Sequence, residues 1–146
     1  MSCEFFAGAN TSSGYSSGLD ELCDPKSFRQ VYLLQGCPGN GKSTLLKKIA
    51  SQAQKAGSLT EVIRCSFDPD SIDGVAIGDV SVLDATFPHE ISPRYISAVE
   101  TPVDLSHACS HRALASNRHK IIRLIGEKKE LYRQSSRYLY GAATLL

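Results

Sequence analysis

Two hydrophobic periods divide the chain. Val31-Tyr32-Leu33-Leu34 is a compact apolar run closed by Gln35-Gly36, and Val62-Ile63-Arg64-Cys65-Ser66-Phe67 is a second, stopped by Asp68-Pro69-Asp70. Such short runs, bounded by glycine or proline, predict buried strands. Val75-Ala76-Ile77 and Val80-Ser81-Val82-Leu83 are two further short apolar runs, joined by the turn dipeptide Gly78-Asp79. Between the first two strands the period lengthens. Leu45, Leu46, Ile49, Ala50 and Ala53 share one helical face from Lys42 to Ala56, with Gly57 as C-cap. Ile121, Ile125, Leu131 or Tyr132, and Leu139 recur at helical spacing and predict a long helix over residues 117–140. Gly126 sits inside it at a cost of about 1 kcal/mol against alanine.

Elsewhere the pattern is weaker. The small polar residues from Gly8 to Gly18 predict a loop, and Leu19, Leu22 and Phe28 a short helix leading inward. Residues 86–104 carry Pro88, Pro93 and Pro102 and predict an extended loop, with nothing strand-like after Asp84. Strand, helix and strand in alternation predict an α/β fold, and residues 1–146 suit one domain.

Composition narrows the class. At 42% hydrophobic and 21% charged residues the chain reads as folded and soluble. No stretch approaches the roughly 18 apolar residues of a membrane helix, and no secretory pattern opens the chain. The five cysteines form no CxxC pair, so free thiols in a reducing cytoplasm are expected. The net charge of +1 conceals an asymmetry: residues 106–146 hold 8 Lys/Arg against 2 Asp/Glu. Such a segment suits a solvated helix face or, as an alternative, a nucleic-acid contact with ATP as its regulator; no aromatic-rich basic motif supports the latter.

The strongest chemical signal is Gly36-Cys37-Pro38-Gly39-Asn40-Gly41-Lys42-Ser43, which meets G-x-x-x-x-G-K-[ST] at every required position and is followed by Thr44. Its four fixed positions would coincide by chance roughly once in two hundred chains of this length. Glycines let successive N–H groups point inward as an anion nest, and the following helix N-terminus adds its dipole. Lys42 would place an ammonium on the β- and γ-phosphates of ATP, and Ser43 would offer a hydroxyl to Mg²⁺. Asp84, closing Val80-Ser81-Val82-Leu83, fits the Walker B carboxylate that shares the metal with Ser43. Ala85 and Thr86 follow it, where many hydrolysing ATPases place a glutamate to activate water. Asp68 and Asp70 follow a strand that should end at the ligand edge, where an acid could orient or deprotonate an acceptor hydroxyl; turn chemistry around Pro69 is the competing reading.

Other candidates are weaker. Asp73-Gly74 reads as a plain turn. His107, Cys109 and His111 alternate in a spacing that zinc can use, without an evident fourth ligand. Oxidation of Cys37 could block nucleotide. His89 and Arg94 could reach a phosphate. Neither N-K-x-D nor D-x-x-G occurs, so ATP is expected over GTP.

Four segments carry a resemblance: Phe5-Phe6-Ala7-Gly8-Ala9-Asn10-Thr11, the glycine loop, Cys65-Ser66-Phe67-Asp68-Pro69-Asp70-Ser71-Ile72-Asp73-Gly74, and Leu83-Asp84-Ala85-Thr86-Phe87-Pro88-His89. Through them the chain resembles a little-characterised bacterial family of P-loop proteins, known only as ATPases or nucleotide kinases. Ala85 departs from the glycine expected there. The resemblance implies a P-loop NTPase three-layer α/β/α sandwich and ATP-dependent phosphoryl transfer. It also implies a tandem protein of two P-loop halves, of which this chain would be the first, so a fragment is expected. A second half or another copy of the chain is the expected partner.

Overall fold

The computed structural model describes residues 2–86 and 90–145. It is a mixed α/β structure. Eight strands are described: β1 (Ser2–Phe6), β2 (Gly8–Thr11), β3 (Gly14–Ser17), β4 (Gln30–Gln35), β5 (Thr60–Arg64), β6 (Ile72–Ile77), β7 (Val80–Asp84) and β8 (Glu100–Asp104). The helices are α1 (Lys42–Lys55), α2 (His111–Ser116) and α3 (Arg118–Ala143), with short 3-10 turns at Leu19–Cys23 and Ser106–Ala108.

Six strands form one sheet in the order β1-β5-β6-β7-β4-β8. β4 runs parallel to both its neighbours, and β1 parallel to β5; β6 is antiparallel to β5 and β7. The ends of β7, β4 and β8 therefore share one edge, with Leu34 opposite Asp84 and Gln35 opposite Asp104. α1 starts at that edge.

Each sheet face has its own core, as alternating side chains require. Leu34, Val62, Ile72, Val75 and Val82 pack against Leu46 and Ala50 of α1. Leu46 is wholly buried, which stabilises the α1 contact by about 1.5–3 kcal/mol. On the other face Val31, Leu33, Ile63, Ala76 and Leu83 pack under Leu19, Leu22, Cys23 and Phe28. Among the described residues that second layer is a 3-10 turn and its flanking chain rather than an α-helix. α3 instead contacts the β2–β3 hairpin. Tyr132 lies 4.6 Å from the Phe67 ring, which lies 4.9 Å from Tyr15.

The strand expectations for residues 31–34, 75–77 and 80–83, the helix from Lys42, the short turn of helix at Leu19 and the long C-terminal helix all match observed elements. Two expectations need correction. Gly8–Gly18 is not a loop but mostly a hairpin, because Thr11 closes a tight turn: its hydroxyl donates to Gly14 O at 2.6 Å and accepts the Ser13 N–H at 3.3 Å. A strand does follow Asp84. β8 carries Glu100, Pro102 and Asp104, residues depleted in strands, but it is an edge strand paired on one side only, where proline and charge are tolerated. β1, another edge strand, likewise lacks a buried face strong enough to register in the sequence.

Candidate functional site

The glycine loop connects the end of β4 to α1 and is held from several directions. Gly41, the N-cap of α1, adopts a left-handed φ of 89°, and no side chain caps the helix. The first N–H groups of α1 are thus left for solvent or an anion. Gly36 has φ 153°, and a Cβ there would lie 1.9 Å from Asn40 Nδ2, so the loop's closure requires glycine at that position. Asn40 Nδ2 donates to Leu105 O at 3.5 Å, and Leu105 N–H to Gln35 O at 2.8 Å, tying the loop to the segment that follows β8.

Lys42 is 7% exposed. Its ammonium donates to Gly36 O and Cys37 O at 3.2 Å each and to Asn40 Oδ1 at 3.3 Å, and lies 3.8 Å from Asp84 Oδ2. A buried ammonium needs such compensation. The loop curls around its own lysine, so loop shape and cation position are one arrangement. Asp84 Oδ1 accepts the Thr86 N–H at 2.9 Å and the Thr86 hydroxyl, which fixes the carboxylate while Oδ2 faces Lys42. Ser43 Oγ accepts the Ile72 N–H at 3.2 Å, locking the start of α1 to the start of β6.

These groups line one cavity of about 340 Å³, walled by Pro38 to Thr44, Cys65, Ser71, Asp73, Asp84, Thr86 and Lys128. Volume and polarity lie in the range of small-ligand sites. The expected loop residues from Pro38 to Thr44 and the expected carboxylate Asp84 are thus brought together. Gly36 and Cys37 shape the loop through their carbonyls rather than lining the cavity.

Asp68 and Asp70 are not part of this wall. They are exposed in a turn where Asp68 Oδ1 accepts the Asp70 N–H at 3.1 Å and Asp70 O accepts the Lys47 ammonium. The carboxylate that does line the cavity is Asp73, 5% exposed inside β6. The reading of Asp73-Gly74 as a plain turn is therefore corrected. Its signal was present in the hairpin: pairing Ile77 with Val80 and Gly74 with Leu83 carries Asp73 to the same end of the hairpin as Asp84. Lys128, reaching in from α3, was also missed, because sequence spacing alone does not show which face of a distant helix meets the cavity.

Cys37 and Cys109 are disulfide-bonded, which corrects the expectation that all five cysteines are thiols; Cys3, Cys23 and Cys65 are not cross-linked. The return of the chain after β8 brings Cys109 over the glycine loop, a proximity no local spacing reveals. The pairing also removes Cys109 from the H-x-C-x-H set. His107 lies in a 3-10 turn and His111 starts α2, so they do not share a helical face, and among the described residues no cluster of three or more His, Cys, Asp or Glu could hold a metal. Arg94 pairs with Asp20 at 3.2 Å, away from the cavity, and His89 lies outside the described residues.

Burial, then the Asp73 charge, raises the Tyr15 phenol above its ordinary value, and burial followed by Cys65 raises Tyr132. The two phenols are thus partly desolvated, and Tyr15 also feels the Asp73 carboxylate. No family model matches this chain, and neither a curated protein nor a solved structure does. Among the described residues no helix is long and apolar enough to cross a membrane.

Proposed function

We propose that this chain is a P-loop NTPase-type protein that binds ATP with magnesium at the glycine loop and transfers the γ-phosphate to water or to an acceptor. One observation carries the reading: the uncapped start of α1, the buried Lys42 ammonium and the oxygens of Ser43 and Asp84 face a single cavity. On this reading β4, β7 and α1 are the centre of a P-loop α/β/α sandwich, with the Asp84 strand directly beside the loop strand.

Phosphate oxygens replace the carbonyls of Gly36 and Cys37 as acceptors for Lys42, and the N–H groups at the start of α1 complete the cradle. The hard-oxygen donors Ser43 and Asp84 fit magnesium, which keeps several waters and needs few protein ligands. Magnesium, when bound, supplies neutralisation of charge on the β- and γ-phosphates. Ala85 follows Asp84 and offers no base, and the Thr86 hydroxyl is spent on Asp84. Asp73 is the remaining carboxylate in the wall and the candidate to orient an acceptor. This favours kinase-type transfer over hydrolysis.

The same missing base supports a second reading, an ATP-binding module that turns over only with a second P-loop half or another copy of itself. A magnesium-dependent ATP titration followed by a γ-phosphate release assay tests both readings. Binding with release supports the enzyme, and binding with background release supports the module. No binding at millimolar ATP refutes both.

A further inference from the structure

α3 meets the β2–β3 hairpin. Its Tyr132 packs at a tilt against Phe67, which packs likewise against Tyr15. One turn earlier on the same helix, the Lys128 ammonium lies 5.4 Å from the Tyr132 ring centroid, and Lys128 lines the glycine-loop cavity together with Ser43 and Asp84. An ammonium over a tyrosine face is attracted by the ring, so the aromatic trio orients the lysine as well as seating the helix.

Charge gives this placement a purpose. Among the described side chains lining the cavity, the ionisable carboxylates are Asp73 and Asp84 and the cations are Lys42 and Lys128. With Lys42 alone the wall would be net negative and would repel a phosphate chain. Lys128 brings it to neutrality before any metal enters, so the local field no longer opposes an anion. Lys42 is anchored within the loop, and Lys128 belongs to α3, outside the loop. The two ammonium groups are thus set to grip a phosphate chain from different elements.

We propose that Lys128 is a specificity-determining residue that contacts the terminal phosphate of the bound nucleotide, so that α3 distinguishes a nucleoside triphosphate from a diphosphate. The proposal rests on the ATP-binding reading above. A charge-assisted contact made only by the terminal phosphate raises affinity for ATP over ADP by roughly tenfold or more.

The test is isothermal titration of the full chain with Mg·ATP and, separately, Mg·ADP, for wild type and for Lys128→Met, Lys128→Arg and Lys129→Met. Lys128→Met should weaken ATP about tenfold and ADP far less, collapsing the preference between them. Lys128→Arg should restore most of it, and Lys129→Met, on the same helix but outside the cavity wall, should leave it unchanged. An ATP-to-ADP ratio in Lys128→Met equal to wild type overturns the proposal, as does an equal loss in Lys129→Met, which would mean a general charge effect. An equal weakening of both nucleotides also overturns it, because a merely structural lysine would act on both. If wild type itself binds neither nucleotide, the ATP-binding reading fails and this inference fails with it, an outcome distinct from the other three.

Discussion

Replacing Lys42 by methionine separates the two tasks assigned to that side chain. In the unliganded protein its ammonium satisfies Gly36 O, Cys37 O and Asn40 Oδ1 and sits 3.8 Å from Asp84 Oδ2. Hydrogen bonds to a charged donor are worth roughly 1.5–3 kcal/mol each when buried. Here the cavity is open, so the abandoned carbonyls rehydrate, and methionine avoids the desolvation of a buried charge. A net loss of about 2 kcal/mol is expected, which for a domain near 150 residues lowers Tm by about 4–8 °C. The ligand effect is separate. Saturating Mg·ATP at 100 times Kd stabilises wild type by about 2.7 kcal/mol, and the variant should gain almost none of this. Thermal melts of both proteins, with and without Mg·ATP, read the two terms independently. An unchanged Tm without nucleotide would refute the claim that Lys42 holds the loop's shape. A wild-type ATP shift in the variant would refute the phosphate-binding role.

Two further outcomes follow from the cysteines. The Cys37–Cys109 bond joins positions 72 apart, so chain-entropy reasoning assigns its loss about 4 kcal/mol; Cys109→Ser should lower the urea midpoint, a dithiol reductant should lower wild type equally, and a wild-type midpoint indifferent to reductant would remove the cross-link from the account. Burial, with the charges of Asp20 and Glu100, pushes the Cys23 thiol up from 9.0 to about 11. Folding therefore favours its neutral form, and the stability this contributes is complete below pH 9 and disappears as pH rises towards about 11. At pH 8 iodoacetamide should label exposed Cys3 long before Cys23, and equal rates would contradict the burial.

The parts of this fold that were legible in the sequence are those whose residue pattern is itself strong. β4, β6, β7 and α1 each carry several buried residues at the spacing of their element, and the glycine loop declares itself because its chemistry constrains consecutive residues. What the sequence hid is long-range. β8 is fixed by pairing with β4, from which it is separated by the helix and hairpin, and its own composition argues against a strand. The disulfide depends on that same return of the chain. Asp68 and Asp70 looked well placed because they follow β5, yet the turn around Pro69 directs them to solvent, where Asp68 caps its own backbone.

Asp73 and Asp84 show how a short-range feature decides the site. The turn at Gly78-Asp79, where Gly78 takes φ 58°, sets the register of β6 against β7, and that register carries both carboxylates to the end of the hairpin that lines the cavity. Like charges in one cavity repel unless cations answer them. The answer comes from two separate elements: Lys42, held inside the glycine loop, and Lys128, on a helix that packs against Phe67 through Tyr132. A one-residue change in the Gly78-Asp79 turn would rotate one carboxylate to the opposite face, since side chains alternate along a strand. The cavity would then keep both cations with one acid, a site suited to holding a bare anion but without the paired carboxylates that a metal and an acceptor require. The chemistry proposed for this chain is therefore set as much by the length of one hairpin turn as by the glycine loop itself.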